Sequence, residues 1–161
     1  MAEHVSLAEQ FRPLTHPPTD LDEIANAQGI LELRRFTSDD AWAIGCELRS
    51  RLRHHSKGAA IGIFGPYFTT AAAPQVLFHA TTKPGVPPDN DTWIARKVRT
   101  VLRFGVSTWE MHWRFAGDED AFRAKNGFGD QEAGQYAIWG GGVPIKVQGV
   151  EGIVAVVAIS G

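Results

Sequence analysis

The stretch GGGVPIKVQGVEGIVAVVAISG, residues 140–161, constrains the fold more than any other part of the sequence. In residues 143–147, valine and isoleucine alternate with proline and lysine, the two-residue period of a strand with one buried face. Residues 153–159, IVAVVAI, form an unbroken apolar run that is too short to span a bilayer. Because glycines bound the turn at 149–152, the stretch predicts two strands, the second a central strand covered on both faces.

The composition fits one ordinary globular domain. The chain has 161 residues, of which 43% are hydrophobic and 21% are charged, so it can bury one sizeable core. Three prolines lie between positions 13 and 18, and we therefore predict an N-terminal arm over residues 1–19 and a single domain over residues 20–161. Two interpretations of the arm stay open, one disordered and one packed on a neighbouring subunit.

Charge and cysteine content restrict the partners and the compartment. A formal net charge of −2 gives no electrostatic case for nucleic acid or for an anionic membrane surface. Cys46 is the only cysteine, so no internal disulfide forms, and with the lack of a cationic leader this predicts a cytoplasmic protein. We expect Cys46 to be a small core residue rather than a nucleophile, because no basic partner is near it in sequence.

Hydrophobic periodicity and turn residues divide the domain into helices and strands. The predicted helices are 21–27, 39–55, 91–104, 107–115 and 119–124. The predicted strands are 30–36, 59–64, 75–81, 143–147 and 153–159, and the second and third are expected to form a hairpin. Asp20 opens the first helix. Thr37 or Ser38 caps the second helix. The third is capped by Asp89 or Asn90.

The helix 91–104 has a clear amphipathic pattern. Its apolar residues recur at helical spacing and predict a buried stripe of Ile94, Val98, Val101 and Leu102. Its basic residues define a second, basic side of Arg96, Lys97, Arg99 and Arg103.

Three blocks of the sequence resemble a known family. They are DNDTWIARKVRTVLRFGVSTWEM at 89–111, YAIWGGGVPIKV at 136–147 and GIVAVVAISG at 152–161. The blocks are similar to the haem-degrading-domain, HbpS-like family, and within it to a cytosolic fungal and bacterial branch of unassigned function. The likeness extends over about residues 30–161. It implies an α/β (α+β) domain of profilin-like fold, with helices around an antiparallel five-stranded sheet, and a closed homo-oligomer.

The resemblance also implies a small-molecule ligand, because relatives in some branches bind haem or corrinoid-like compounds. Trp139 stands where close relatives tend to have a histidine, and Val106 stands where a polar residue or histidine is common. The sequence ends at Gly161, whereas relatives continue with an acidic, histidine-containing segment and a last helix. Fewer imidazoles and an added indole favour an apolar pocket over a metal or haem site. We therefore expect no metal and no cofactor, with haem as the open alternative.

The candidate site combines the start of helix 91–104 with the glycine triplet. A helix N-terminus with nearby cations can hold a carboxylate or phosphate, but the same cations could pair with Asp91 or with a neighbouring subunit. The candidate catalytic residues, acting as acid, base or oxyanion partner, are Asp91, Arg96 and His112. The candidate ligand-binding residues are Asn90, Trp93, Lys97, Trp109, Trp139, Gly140 and Gly141.

Histidines and tryptophans leave further alternatives open. His79 and His112 each have hydrophobic neighbours, so each is either a satisfied core residue or an axial ligand or general base. If residues 107–115 are helical, Trp109, His112 and Trp113 share one face. The five tryptophans exceed the needs of a core of this size, and some are predicted to line a pocket or an interface.

Motifs of the common cofactor and hydrolase classes are absent from the sequence, including GxGxxG, the P-loop, HExxH, paired CxxC and GxSxG. The preferred hypothesis is an oligomeric cytosolic binding domain for a small, largely apolar organic or tetrapyrrole-like ligand. One alternative is a cofactor-free enzyme that isomerises or cyclises an apolar, specialised metabolite in a tryptophan-lined pocket. Another is a structural or protein-interaction scaffold. The expected partners are copies of the same chain and a small molecule, not nucleic acid or membrane.

Overall fold

Six helices and four strands make up the described part of the molecule. The computed structural model describes residues 15–29, 32–65 and 74–161. The helices are α1 (Leu21–Gly29), α2 (Ser38–Leu52), α3 (Asp89–Phe104), α4 (Thr108–Arg114), α5 (Glu119–Asn126) and α6 (Asp130–Ala133). The strands are β1 (Ala60–Phe64), β2 (Val76–Thr81), β3 (Gly142–Ile145) and β4 (Ala155–Ser160). Most of the predicted arm, residues 1–14, lies outside the described residues.

The four strands form one antiparallel sheet in the order β2-β1-β4-β3. β4 is therefore a central strand, and its successive side chains point to opposite faces of the sheet. Val156 and Ala158 pack with the residues of α3 on one face. Ala155 joins the cluster beneath α2 on the other. The predicted mixed class of helices and antiparallel sheet is confirmed, as is the burial of this strand on both sides.

The two predicted strand pairs are also confirmed. Gly149 and Gly152 have φ angles of 75° and 85° between β3 and β4, a conformation that glycine adopts without strain. β1 and β2 pair antiparallel, with Ile61 opposite Ala80. Residues 66–73 of the connection between these two strands lie outside the described residues.

The sheet has four strands in the described residues rather than the five expected. The segment predicted as a first strand, 30–36, contributes a single parallel bridge between Leu33 and Val147. Its residues 30 and 31 lie outside the described part. Leu33 and Phe36 both pack on the core. Because these two side chains are three positions apart, the chain turns between them instead of following the two-residue period of a strand.

Helix α2 begins at a capping box and packs one face on the sheet. Thr37 Oγ1 accepts a hydrogen bond from Asp40 N at 3.2 Å, and Asp40 Oδ2 accepts one from Thr37 N at 2.9 Å. The predicted cap at position 37 is therefore confirmed. Its apolar side chains recur at helical spacing and contact the core through Ala41, Ile44, Leu48 and Leu52.

Cys46 is exposed, so the prediction of a core cysteine was wrong. The preceding residue, Gly45, takes the place against the sheet, where a Cβ would lie 2.3 Å from the ring of Phe78. Since successive helical residues are rotated by about 100°, a glycine facing the sheet turns position 46 away from it.

Helix α3 begins earlier than predicted, and neither of the expected capping residues caps it. Pro88 is the N-cap and makes no side-chain capping bond, so Asp89 and Asn90 fall inside the first turn. Asp89 Oδ2 accepts a hydrogen bond from Trp93 Nε1 at 3.1 Å. Asn90 Oδ1 accepts one from Ser160 Oγ at 3.0 Å, which joins the start of the helix to the end of β4.

The buried surface of α3 is wider than its sequence predicts. Ile94, Val98 and Val101 are buried as expected, but Lys97 is only 6% exposed and Thr100 is fully buried. The predicted basic side of the helix is therefore partly buried, at Lys97. The physical reason is that residues 137–142 pack over the side of α3 that carries Lys97 and Thr100. Thr100 Oγ1 donates a hydrogen bond to the Ala137 carbonyl at 2.8 Å.

The short helices α4 to α6 pack beside the sheet. Ser107 caps α4 by accepting a hydrogen bond from Glu110 N at 3.0 Å. α5 buries Phe122 in a separate apolar cluster with Ile138.

Among the described residues, no helix is long and apolar enough to cross a membrane.

Candidate functional site

A cavity of about 440 Å³ lies between the N-terminal segment and the glycine triplet. One wall comes from α1 and the two prolines that precede it, and the other comes from the start of α4 and the entry to β3. The lining residues are Pro17, Pro18, Ile24, Ala27, Gln28, Ser107, Trp109, Gly140, Gly141, Gly142 and Val143.

Side-chain hydrogen bonds hold the two walls together. Gln28 Nε2 donates to Glu110 Oε2 at 2.9 Å, and Gln28 Oε1 accepts from Ser107 N at 3.1 Å. Trp109 Nε1 donates to the Pro18 carbonyl at 2.7 Å. Because these bonds join α1 and its leading prolines to α4, the N-terminal segment is a built part of the cavity.

The surface of the cavity is almost entirely apolar. No charged side chain is among the lining residues, and the polar groups of Gln28, Ser107 and Trp109 are bonded to protein partners. A molecule in this cavity would therefore be retained by shape and apolar contact rather than by ion pairing.

The glycine triplet forms its wall because no side chain fits there. A Cβ on Gly140 would lie 2.9 Å from the indole of Trp109. Gly141 has a φ of 120°, and a Cβ on it would lie 2.3 Å from the Ile159 carbonyl oxygen. The strand entry thus packs backbone against the indole on one side and against β4 on the other.

Lys97 lies directly behind this wall. Its Nζ donates to the Ile159 carbonyl at 2.7 Å and lies 2.9 Å from the place that a Cβ of Gly141 would occupy. Burial lowers the pKa of the Lys97 ammonium from 10.5 to about 8, because the charged form loses its hydration. The structure therefore places an amine with an unusually large neutral fraction next to an apolar cavity.

An aromatic cluster supports the indole of Trp109 from outside the cavity. The His112 ring stacks on Trp109 with centroids 5.3 Å apart and planes 1° apart, and Trp113 meets Trp109 edge-on at 5.7 Å. The predicted shared face of α4 is thus confirmed. Trp139 lies 5.1 Å from His112, is 48% exposed, and donates from Nε1 to Glu119 Oε1 at 2.6 Å. Neither His112 nor Trp139 lines the cavity.

The candidate residues at the start of α3 lie apart from the cavity. Asp91 Oδ1 is 2.7 Å from Nε2 of His79, at an exposed position between α3 and β2. The Arg96 guanidinium lies over the Trp93 ring, 4.2 Å from its centroid, and its Nε donates to the Tyr136 carbonyl at 2.9 Å. Arg96 lines a second cavity, of about 220 Å³, that also contains acidic side chains of α5.

The predicted site residues therefore divide into groups. Trp109, Gly140 and Gly141 meet at the apolar cavity, and Lys97 lies behind it. His112 and Trp139 back the cavity wall. The remaining candidates, distributed along the first turns of α3 and bonded to neighbouring elements, are Asn90, Asp91, Trp93 and Arg96.

Comparison with known proteins decides the family. A family model described as "Haem degrading protein HbpS-like" matches residues 36–161. The chain belongs to the HbpS-like family. The resemblance inferred from its sequence blocks is confirmed.

The relatives of this HbpS-like chain include bacterial proteins. It is 40% identical over 139 residues to a UPF0303 protein of Streptomyces coelicolor, covering 86% of this chain and 80% of that protein. It is 37% identical over 145 residues to a UPF0303 protein of Streptomyces avermitilis, covering 90% of this chain and 81% of that protein.

Two solved structures resemble the HbpS-like domain. The crystal structure of the Ybr137w protein superposes with a TM-score of 0.75 at 30% identity, covering 88% of this chain and 77% of that one. The crystal structure of HbpS superposes with a TM-score of 0.56 at 16% identity, covering 79% and 77%. The second likeness shows the shared fold alone.

The family description raises the question of haem, and the cavity does not fit a protein-ligated haem. Iron in such a group takes an axial ligand from histidine, cysteine, methionine or tyrosine, and none of these is among the lining residues that the structure describes. Of the histidines with hydrophobic neighbours, His79 is bonded to Asp91 at the surface and His112 is stacked on the far side of Trp109. Among residues 15–29, 32–65 and 74–161, no group of three metal-ligating side chains comes together.

Sequence reasoning missed the contribution of the N-terminal segment. Residues 17 and 18 belong to the predicted arm, yet they line the cavity. Gln28 also lines it and joins α1 to α4 by its hydrogen bond to Glu110. The signal available was the pair Pro17-Pro18 just before a short helix with one buried residue, Ile24, which indicates a segment held in a defined path. Nothing in the sequence marks α4 as its docking surface.

Proposed function

We propose that this HbpS-like protein binds a small, largely apolar organic ligand in the cavity between α1, α4 and the glycine triplet. The observation that carries the proposal is the cavity itself, whose volume of about 440 Å³ lies in the range typical of small-molecule sites. The Gln28 amide and the Trp109 indole N–H are already bonded within the protein, so a polar ligand would gain few partners for the hydration that it loses.

The shape of the wall favours a flat ring system. Trp109 lines the cavity with a rigid indole, and His112 stacks on the face of that indole, which fixes its orientation. The glycine backbone lies beside the indole on the same wall and adds no side chain to it. A tetrapyrrole-like ring held without a protein ligand to its metal is compatible with the same wall, and the binding test separates it from smaller rings.

Binding is tested with N-phenyl-1-naphthylamine, an uncharged apolar dye that fluoresces when it leaves water. Ala27 faces the cavity from α1, and Ala27→Trp fills part of it. Ala43 is an exposed alanine on α2, and Ala43→Trp is the matched control. We expect saturable binding to the wild type and to the control, with at least tenfold weaker binding to Ala27→Trp. Equal affinity in all three proteins would refute this cavity as the site.

Haem is tested in parallel. Because no axial ligand lines the cavity, we expect no histidine-type Soret spectrum when haem is added. A saturable spectrum of that type, lost in His79→Ala or His112→Ala, would contradict the assignment of an apolar site without metal ligation.

Self-association is part of the same proposal. Val76, 57% exposed, is the first residue of β2, an edge of the described sheet, and Trp42, 63% exposed, packs on Phe78 of the same strand. Large apolar side chains at a sheet edge favour contact with another copy of the chain. Sedimentation at tens of micromolar protein should show an oligomer, and a monomer under those conditions would remove this part of the proposal.

A second candidate function, a cofactor-free enzyme, is supported by one observation, the buried amine of Lys97 behind the cavity wall. The three residues first considered for catalysis, Asp91, Arg96 and His112, do not line the apolar cavity. An enzyme acting there would have to use a different group, and Lys97 is the titratable side chain that the geometry offers.

A further inference from the structure

Lys97 is not explained by packing or by ion pairing. Its side chain is 6% exposed, and its Nζ donates to a single carbonyl, that of Ile159. Among the described residues, no carboxylate lies within ion-pair distance of this ammonium. An unpaired buried ammonium destabilises the fold, so an aliphatic side chain of similar length would serve the core better.

The position of the amine relative to the cavity suggests what it can do. A Cβ placed on Gly142 would lie 3.3 Å from the Cβ of Lys97, so the lysine stem runs beneath Gly142. The amine ends behind Gly141. Gly141 is part of the cavity wall and carries no side chain. One hydrogen bond, to the Ile159 carbonyl, restrains the amine. Attack on a ligand in the cavity requires a change of lysine rotamer that carries the amine past Gly141.

We propose that Lys97 is a nucleophilic amine that forms a reversible imine with an aldehyde or ketone bound in the apolar cavity. This inference rests on the proposed function, since it assigns the chemical class of the ligand in the same cavity.

The reaction needs no co-reactant. The lone pair of the neutral Lys97 amine attacks the carbonyl carbon and gives a carbinolamine. The carbonyl oxygen then leaves as water with the two hydrogens of the amine, and the new C=N bond joins the ligand to Nζ. Reversal by water releases the ligand unchanged, so no oxidant or reductant is involved.

The environment favours a carbonyl compound over a carboxylate. Burial holds a substantial share of the Lys97 amine in its neutral form near pH 8, because its pKa is lowered to about 8. An uncharged carbonyl compound also enters the apolar cavity without desolvating a charge.

The test uses 2-naphthaldehyde as an apolar carbonyl probe, with borohydride to reduce any imine to a stable secondary amine. Peptide mass spectrometry then measures the label at each lysine. Lys125, an exposed lysine on α5, is the internal control. We expect at least tenfold more label at Lys97 than at Lys125, and we expect N-phenyl-1-naphthylamine to suppress it.

Two variants make the test decisive. Ala27→Trp should remove the label from Lys97 by filling the cavity, with the label at Lys125 unchanged. Lys97→Met should abolish the specific label while the protein still binds N-phenyl-1-naphthylamine. The wild-type comparison of Lys97 with Lys125 stands even if Lys97→Met fails to fold.

The outcomes separate the two proposals. Dye binding with no preferential label at Lys97 overturns the imine and leaves the apolar site standing. Preferential label at Lys97 without dye binding supports the imine and shows that the site accepts the aldehyde and not the dye. Absence of both refutes both.

Discussion

Replacing Lys97 by methionine should make the folded protein more stable at neutral pH and remove a specific part of its pH dependence. The ammonium has an ordinary pKa of 10.5 and a pKa of about 8 in the folded protein. Since one pKa unit corresponds to about 1.4 kcal/mol, keeping this amine charged in the fold costs about 3 kcal/mol. Loss of the hydrogen bond to Ile159 offsets about 1 kcal/mol, so we expect a net gain of about 2 kcal/mol at pH 7.

The direction of the pH effect follows from proton binding. Below pH 8 the amine is protonated in both states, and the full destabilisation is present. Between pH 8 and about 10.5 the unfolded chain retains a proton that the folded protein has released, so stability rises with pH. The gain attributable to Lys97 across that interval is about 3 kcal/mol, and Lys97→Met should not show it.

Urea unfolding at a series of pH values, followed by tryptophan fluorescence, measures both effects. Lys125→Met, a matched change at an exposed helical lysine, controls for the general loss of a positive charge. Subtracting the variant curve from the wild-type curve removes the titration of the other lysines and tyrosines. Parallel curves for wild type and Lys97→Met between pH 7 and 10.5 would show that the amine is not desolvated in solution, and the reasoning would fail.

Three further substitutions test the packing. Gly141→Ala should destabilise by about 3 kcal/mol or more in urea unfolding, because its φ is 120° and the added Cβ would lie 2.3 Å from the Ile159 oxygen; wild-type stability would contradict this. Thr100→Val should lower the free energy of unfolding by about 1–3 kcal/mol, because the buried Thr100 hydroxyl bonds both the N–H and the carbonyl of Ala137. An unchanged urea midpoint would count against these two hydrogen bonds. Thr37→Ala should lower the free energy of unfolding by about 1 kcal/mol and speed amide hydrogen exchange at the start of α2. Unchanged protection of those amides would argue against the cap.

The local parts of the fold could be predicted because their signals are complete within a few residues. The alternation in 143–147, the glycine turn and the run 153–159 define β3, the turn and β4 without reference to the rest of the chain. The Thr37 cap and the shared face of α4 are equally local.

The parts that could not be predicted depend on contacts between distant segments. Lys97 sits on a helical face that looks solvent-exposed in the sequence, and it is buried because residues 137–142 fold over it. The cavity depends on the packing of α1 on α4. A hydrogen bond between Gln28 and Glu110, which are far apart in sequence, holds these helices together. No local sequence pattern indicates a contact between such distant segments. The glycine triplet could therefore be predicted as part of the site, but the wall formed by α1 and its prolines could not.

The hydrogen bond from Trp109 to the Pro18 carbonyl has a practical consequence for anyone who expresses this protein. A clone shortened to begin at residue 20 would retain the sheet and the helices of the described residues, yet it would remove two wall residues and the hydrogen-bond acceptor of the Trp109 indole. Ligand screens on a trimmed protein would therefore sample a different pocket from the one that the whole chain forms.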